Sequence, residues 1–203
     1  KDVNSALELV TLIAPENAEL ADLRQRADSL PSLIKHLQEA TAAEARGELN
    51  EAEESLRQAV ALDPQHQRAA SELERVSIAN TEQRFNAAMS SGYLALDEQD
   101  FTEASAQFSS AQSLKPNSAE ASSALQELQV ARQAAQLVAI KTQGAKLESN
   151  EQWQAAADAY QRAVKLDSSV LFASEGLKRS QARARLDQQF RKAIEQPERL
   201  ADV

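Results

Sequence analysis

Positions 52 residues apart in this chain carry the same kind of side chain, over and over. Ala52, Ala104 and Ala156 form one series, Leu56, Phe108 and Tyr160 a second, and Ala59, Ala111 and Ala163 a third. Leu49, Phe101 and Trp153 share a bulky place, and Ala40, Gly92 and Gly144 share a small one. Each series closes at a turn: Leu62-Asp63-Pro64, Leu114-Lys115-Pro116 and Leu166-Asp167-Ser168. Ile13-Ala14-Pro15 lies 49 residues before the first of these. A repeat of this kind means that one supersecondary unit recurs and that neighbouring units bury each other's apolar faces.

Each unit reads as two helices. The chain has only 4 Gly and 5 Pro in 203 residues, so little interrupts a helix. Apolar residues at helical spacing predict short helices over 50–62, 102–114 and 154–166. Asn50 with Glu53 fits a capping box in the first, and Asp100 with Glu103 in the second. Pro64 and Pro116 follow the helix ends. Long helices are predicted over 66–97 and 118–149. Leu73, Val76, Ala79 and Ala88 mark the buried stripe of one; Leu125, Leu128, Ala131, Ala135 and Val138 mark that of the other. The earlier equivalent, 17–46, contains Pro31, which either kinks it or starts a fresh helix after Ser29. The last, from about 169 to 195, ends before Pro197. The expected fold is all-α: an elongated array of helical hairpins alternating short helices of about 13 residues with long ones of about 32. The chain is expected to be one helical-repeat domain, excised from a longer protein, with units near 1–15, 16–64, 65–116, 117–168 and 169–203.

Residues 86–116 resemble a tetratricopeptide repeat through Gly92, Phe101, Ala104, Phe108, Ala111 and Pro116. Residues 138–168 resemble one through Gly144, Trp153, Ala156, Tyr160 and Ala163, with Ser168 in place of proline. In 34–64, Ala52, Ala59 and Pro64 match, but Ala40 replaces the glycine and Leu49 and Leu56 replace aromatics. The opening 1–15 resembles the second half of a further unit through Leu7, Val10 and Pro15. The departure is in the period, which is 34 residues in that family. Here it is longer by 18, which is about five whole helical turns and about 27 Å of rise. The extra helix therefore returns the chain on nearly the same face. The first interval, 49, adds 15 residues and falls about 60° out of phase, an offset that a kink at Pro31 would absorb.

The formal charge of −9 leaves no concentrated basic surface of the kind that nucleic acid requires. Lys178, Arg179, Arg183, Arg185, Arg191 and Lys192 are spread along the last helix and read as a solvated face. The absence of Cys removes disulfide and thiolate chemistry. No run of 18 apolar residues is present to span a membrane and no signal peptide is visible; the envelope reading places any anchor outside the sequence. His36 and His66 are the only histidines. His66 is placed to cap a helix start and His36 to flank an apolar stripe; neither has ligand spacing. Asp97, Glu98, Asp100 and Glu103 lack the alternation and central Gly of a calcium loop. Trp153, equivalent to Leu49 and Phe101, reads as a hairpin packing residue. No catalytic residue, cofactor, metal or small-molecule substrate is expected.

The resemblance implies a non-enzymatic scaffold or adaptor that holds a protein partner, with a groove lined by the first helix of each hairpin. The places matching groove positions are Asn86, Met89 and Tyr93 in one unit and Val138, Lys141 and Ala145 in the next; Met89 and Tyr93 equally suit the core. The clustered Lys, Arg and Asn that would clamp a C-terminal carboxylate are not present. The alternative is a structural spacer or self-association region, coiled-coil-like in its long helices, within a membrane-anchored cell-envelope protein. The Gln- and Ala-rich, Cys-free composition resembles periplasmic helical regions of bacterial anchored proteins; a cytoplasmic location is the alternative.

Overall fold

The computed structural model describes residues 2–13 and 19–196. Among them the secondary structure is helical, in the order α1 (Asp2–Ile13), α2 (Glu19–Ala45), α3 (Leu49–Leu62), α4 (Gln67–Asp97), α5 (Phe101–Leu114), α6 (Ala119–Ser149), α7 (Trp153–Leu166) and α8 (Leu171–Glu195). Short and long helices alternate as the 52-residue repeat demands: α3, α5 and α7 have 14 residues each, α4 and α6 have 31 each. Each long helix is therefore about 46 Å long. The protein is an all-α array of helical hairpins. The turn at Ala14-Pro15 and the residue Pro197 lie outside the described residues.

Two compact units divide the chain, one of Lys1–Leu94 with Ala106–Ser118 and one of Ala95–Ser105 with Ala119–Val203. In the first unit, α2 and α3 form a hairpin and α4 packs on it. Leu33, Ala59 and Ala69 make one buried cluster; Ala40, Ala43, Ala52, Leu56 and Val76 make another; Leu37 joins both. Further along, Phe108 is fully buried against Gly92 and meets Tyr93 edge-to-face at 5.0 Å between centroids. In the second unit, α7 packs between α6 and α8. The Tyr160 ring lies between Gly144 and Gly176, so close that a Cβ on either would overlap it. The bulky places Leu49, Phe101 and Trp153 are all half-buried, as their equivalence requires.

The long helices α2, α4 and α6 end by one recurring device. The amide of Glu48 donates to the carbonyl of Ala43 and that of Gly47 to Glu44. Asp100 and Gln99 repeat this pattern on Ala95 and Leu96, and Gln152 and Glu151 repeat it on Leu147 and Glu148. This is a Schellman closure, which puts one residue in the left-handed region. Those residues are Gly47, Gln99 and Glu151, with φ of 77°, 60° and 56°, at intervals of 52. Only the first is glycine, the residue that adopts this conformation without steric cost. Gln99→Gly and Glu151→Gly are each expected to stabilise the protein by about 0.5–1 kcal/mol, and Gly47→Ala to destabilise it by a similar amount. Thermal unfolding of the three variants checks the sign at each place.

Three local expectations need correction. No fresh helix starts after Ser29: Glu19–Ala45 is one helix that runs through Pro31. The lost backbone bond costs about 3 kcal/mol, but α2 is buried on both sides of it, at Leu20 before and at Leu33, Ala40 and Ala43 after. The capping box at Asn50 and Glu53 does not form, because α3 already begins at Leu49. Both side chains instead hold Asn80 of α4, at 2.9 and 2.6 Å. Asp100 does cap: its Oδ1 accepts from the amides of Thr102 and Glu103. Val138 is exposed rather than part of the buried stripe of α6. It lies ten residues past the buried Leu128, and at about 100° per residue that leaves it about 80° away around the helix.

Candidate protein-binding surface

The first unit carries a groove along α2, lined by Ile34, Leu37, Gln38, Thr41, Ala42, Ala45 and, from α4, Arg68, with a volume of about 470 Å³. Its continuation shares Leu37, Thr41 and Arg68 and runs to Glu44, Glu72 and Arg75. The floor follows from helical spacing. Ile34, Leu37, Thr41 and Ala45 fall on one side of α2, while Leu33, Ala40 and Ala43 face inward. Arg75 closes the far rim: its guanidinium donates to both oxygens of Glu44, at 2.5 and 2.7 Å, and to Glu72 at 2.7 Å. Hydrogen bonds from Arg75 hold the Glu44 carboxyl below its ordinary range, against a smaller opposing effect of burial. Arg68, by contrast, has no ion-pair partner among the described residues. The rim is thus half neutralised and half open, with one guanidinium available to a carboxylate.

The groove is related by sequence to the candidate residues. Ile34, Leu37 and Thr41 precede Asn86, Met89 and Tyr93 by 52, and these precede Val138, Lys141 and Ala145 by 52. The structure treats the three sets differently. Asn86 is exposed, Met89 is 4% exposed and sits in the core, and Tyr93 is 40% exposed with its ring on Phe108. In the second unit, Val138, Lys141 and Ala145 are all exposed along α6, and the Lys141 ammonium stands 5.7 Å over the Phe172 ring of α8. Asn86, Met89 and Tyr93 therefore belong to one unit and Val138, Lys141 and Ala145 to the other. The Ile34 set was not singled out from the sequence, although the same 52-residue step from Asn86 reaches it.

Two polar clusters brace the hairpins. Glu148 of α6 accepts from Arg179 Nε and Nη2 at 3.0 and 2.9 Å, from Ser180 Oγ at 2.8 Å and from the Tyr160 hydroxyl at 3.3 Å. Burial raises its pKa, but the hydrogen bonds from Arg179 and Ser180 with the Arg179 charge outweigh this and hold the carboxyl below its ordinary range. Burial and the adjacent Glu148 charge push the Tyr160 hydroxyl upward. Glu44 with Arg75 and Glu148 with Arg179 are the same bridge two repeats apart, each pair displaced by 104 residues. That spacing was the signal in the sequence that would have found them. Glu53 is the second cluster, held low by hydrogen bonds from Asn80 and then Arg57.

His66 caps α4, its Nδ1 accepting from the Ala69 amide at 3.1 Å, and His36 meets Glu39 on the exposed side of α2 at 3.0 Å. Among the described residues no group of His, Cys, Asp and Glu is arranged to hold a metal ion, and no helix is long and apolar enough to cross a membrane.

The comparisons with known proteins agree with the hairpin geometry. Residues 36–66 match the family model described as Tetratricopeptide repeat. These residues cover the end of α2 and all of α3, the copy with Ala40 and Leu56 where later copies have glycine and an aromatic. No curated protein and no solved structure matches the chain. Repeats of this family generally mediate protein–protein interaction and are typically non-enzymatic. The match covers one hairpin, and in its recurring helical hairpins the chain as a whole is similar to tetratricopeptide-repeat proteins.

Proposed function

We infer that this protein is a scaffold or adaptor and that it seats a segment of a partner protein in the groove between α2 and α4. One observation carries this reading: an apolar floor of exposed Ile34 and half-buried Leu37 lies beside the unpaired guanidinium of Arg68. Such a groove favours an amphipathic segment whose apolar residues cover the floor and whose carboxylate meets Arg68. The Glu44–Arg75 bridge fixes the far rim and repels neither sign strongly. The proposed compartment is the cell envelope, on composition alone, and protease accessibility in osmotically opened cells checks it.

The test is a peptide selection against the immobilised protein, followed by fluorescence anisotropy. Selected peptides should pair apolar residues with Asp or Glu. Ile34→Asp and Arg68→Glu should each weaken them at least about tenfold, the loss of one well-formed contact, while Lys165→Glu in the second unit should not. Equal affinity for all three variants would place binding elsewhere.

A further inference from the structure

The second unit holds a cleft of about 880 Å³ between the start of α7 and the second half of α8. Trp153 and Ala155 line it from α7, and Ala184, Asp187 and Arg191 from α8. The carboxamides of Asn150, Gln152, Gln154 and Gln188 line it as well. The repeat register explains the space. Two repeats earlier, Asn80 takes the place of Ala184 and Glu53 that of Ala157. There the Asn80 amide donates to Asn50 and Glu53, and this buried pair joins α3 to α4. The second unit has alanine at both places, and Gln154, the equivalent of Asn50, donates to Asp158 at 3.1 Å instead. This side of a long helix also stays open when a further hairpin follows it. Gln83, Arg84 and Ala87, the equivalents of Asp187, Gln188 and Arg191, are exposed on α4, whereas α5 lies on Phe85 and Gly92.

The lining chemistry narrows the class of ligand. Its charges balance: Asp187 and Arg191 bond to each other at 3.1 Å, and Glu151 and the nearby Arg183 add one charge of each sign. In a chain of net charge −9, such a cleft does not concentrate anions. Backbone groups inside α8 are engaged within the helix, so side chains must do the recognising. Each carboxamide offers both a donor and an acceptor, which suits hydroxyls that donate and accept in turn. The Trp153 indole adds a flat apolar face with a polar edge. The Arg183 guanidinium stands 5.7 Å from the ring centroid, beyond the about 4 Å of direct stacking, so it flanks the ring rather than capping it. A bound peptide would want a row of apolar anchors or a free strand edge. The apolar lining here is Trp153 with two alanines, and both walls are helices.

We propose that this cleft binds a neutral oligosaccharide. The C–H face of one sugar ring lies against Trp153, and its hydroxyls meet the side chains of Gln152, Gln188 and Arg191. The volume is that of a small-molecule site. The site is independent of the groove between α2 and α4.

Trp153 is the only tryptophan of the chain, so its fluorescence reads the site directly. The whole chain is titrated with cellobiose, maltose and diacetylchitobiose, and with glucuronic acid as an anionic contrast. At least one of the three neutral sugars should shift the emission saturably, with a Kd of roughly millimolar, and glucuronic acid should not. Gln188→Ala, at an exposed side chain, should weaken binding about three- to tenfold, the loss of one hydrogen bond. Ala157→Glu/Ala184→Asn, which rebuilds the polar pair of the first unit, should abolish it with helical circular dichroism unchanged; if that variant does not fold, Gln188→Ala decides. Arg68→Glu, in the other groove, should leave sugar binding as it is. An emission that no neutral disaccharide moves, a response to glucuronic acid alone, or parent affinity in Gln188→Ala would overturn the proposal.

Discussion

Gly144→Ala is expected to lower the unfolding free energy by about 2 kcal/mol, although alanine is the better helix former by about 1 kcal/mol. A Cβ at this place would lie 2.6 Å from Cε1 and Cζ of Tyr160. The ring has no room to retreat, because Gly176 approaches its other edge: a Cβ there would stand 2.7 Å from Cε2 and Cζ. Its hydroxyl is also bonded to Glu148. The equivalent pair in the first unit offers a sharper test. A Cβ on Gly92 would overlap Cε1 and Cδ1 of the buried Phe108, so Gly92→Ala should cost about 1–3 kcal/mol. The preceding copy solves the same contact with Ala40 facing Leu56, both buried in one cluster. Phe108→Leu, mildly destabilising alone, should therefore recover most of the loss when combined with Gly92→Ala. Urea unfolding of the two single variants and the double gives the coupling. Strict additivity would mean that the small and large places do not answer each other.

Removing the Glu148 carboxylate should have the second large effect. Glu148→Ala leaves the buried Ser180 hydroxyl and the Tyr160 hydroxyl without their shared acceptor and frees Arg179. A loss of about 2–3 kcal/mol is expected for a buried group serving several donors. The equivalent Glu44→Ala should cost no more than about 1 kcal/mol, since the Glu44–Arg75 pair is largely exposed. The pH dependence follows from the lowered carboxyl of Glu148. A carboxyl whose pKa is depressed on folding contributes its full stabilisation above the unfolded value and loses it as pH falls through the folded one. The gap between the parent and Glu148→Gln should therefore be constant near neutrality and shrink as pH drops below the ordinary carboxylate range. A gap that persists in acid would assign the effect to packing rather than charge.

Much of the fold was legible in the chain because its information is periodic. The 52-residue step set the number and type of helices, and their bounds fell within a residue or two of α3 to α7. The hairpin register, with Ala52, Leu56 and Ala59 and their counterparts inward, reads directly from spacing, since burial repeats wherever the pattern does. The candidate surface was less legible. Spacing placed Asn86, Met89 and Tyr93 on one side of a helix, but Met89 lies inside and Asn86 outside. Helical spacing tells which residues share a face, not how deeply a neighbour covers it.

The amino-acid sequence by itself determined an all-α repeat of short and long helices, because turns, small residues and apolar spacing act within a few residues of one another. Tertiary structure alone decided other partners: Asn80 with Glu53, and Tyr160 between two glycines. It also decided that α2 continues through Pro31. These outcomes depend on which helix lies opposite and at what distance. Local preference is worth at most a few kcal/mol, and the packing of whole helix faces overrides it.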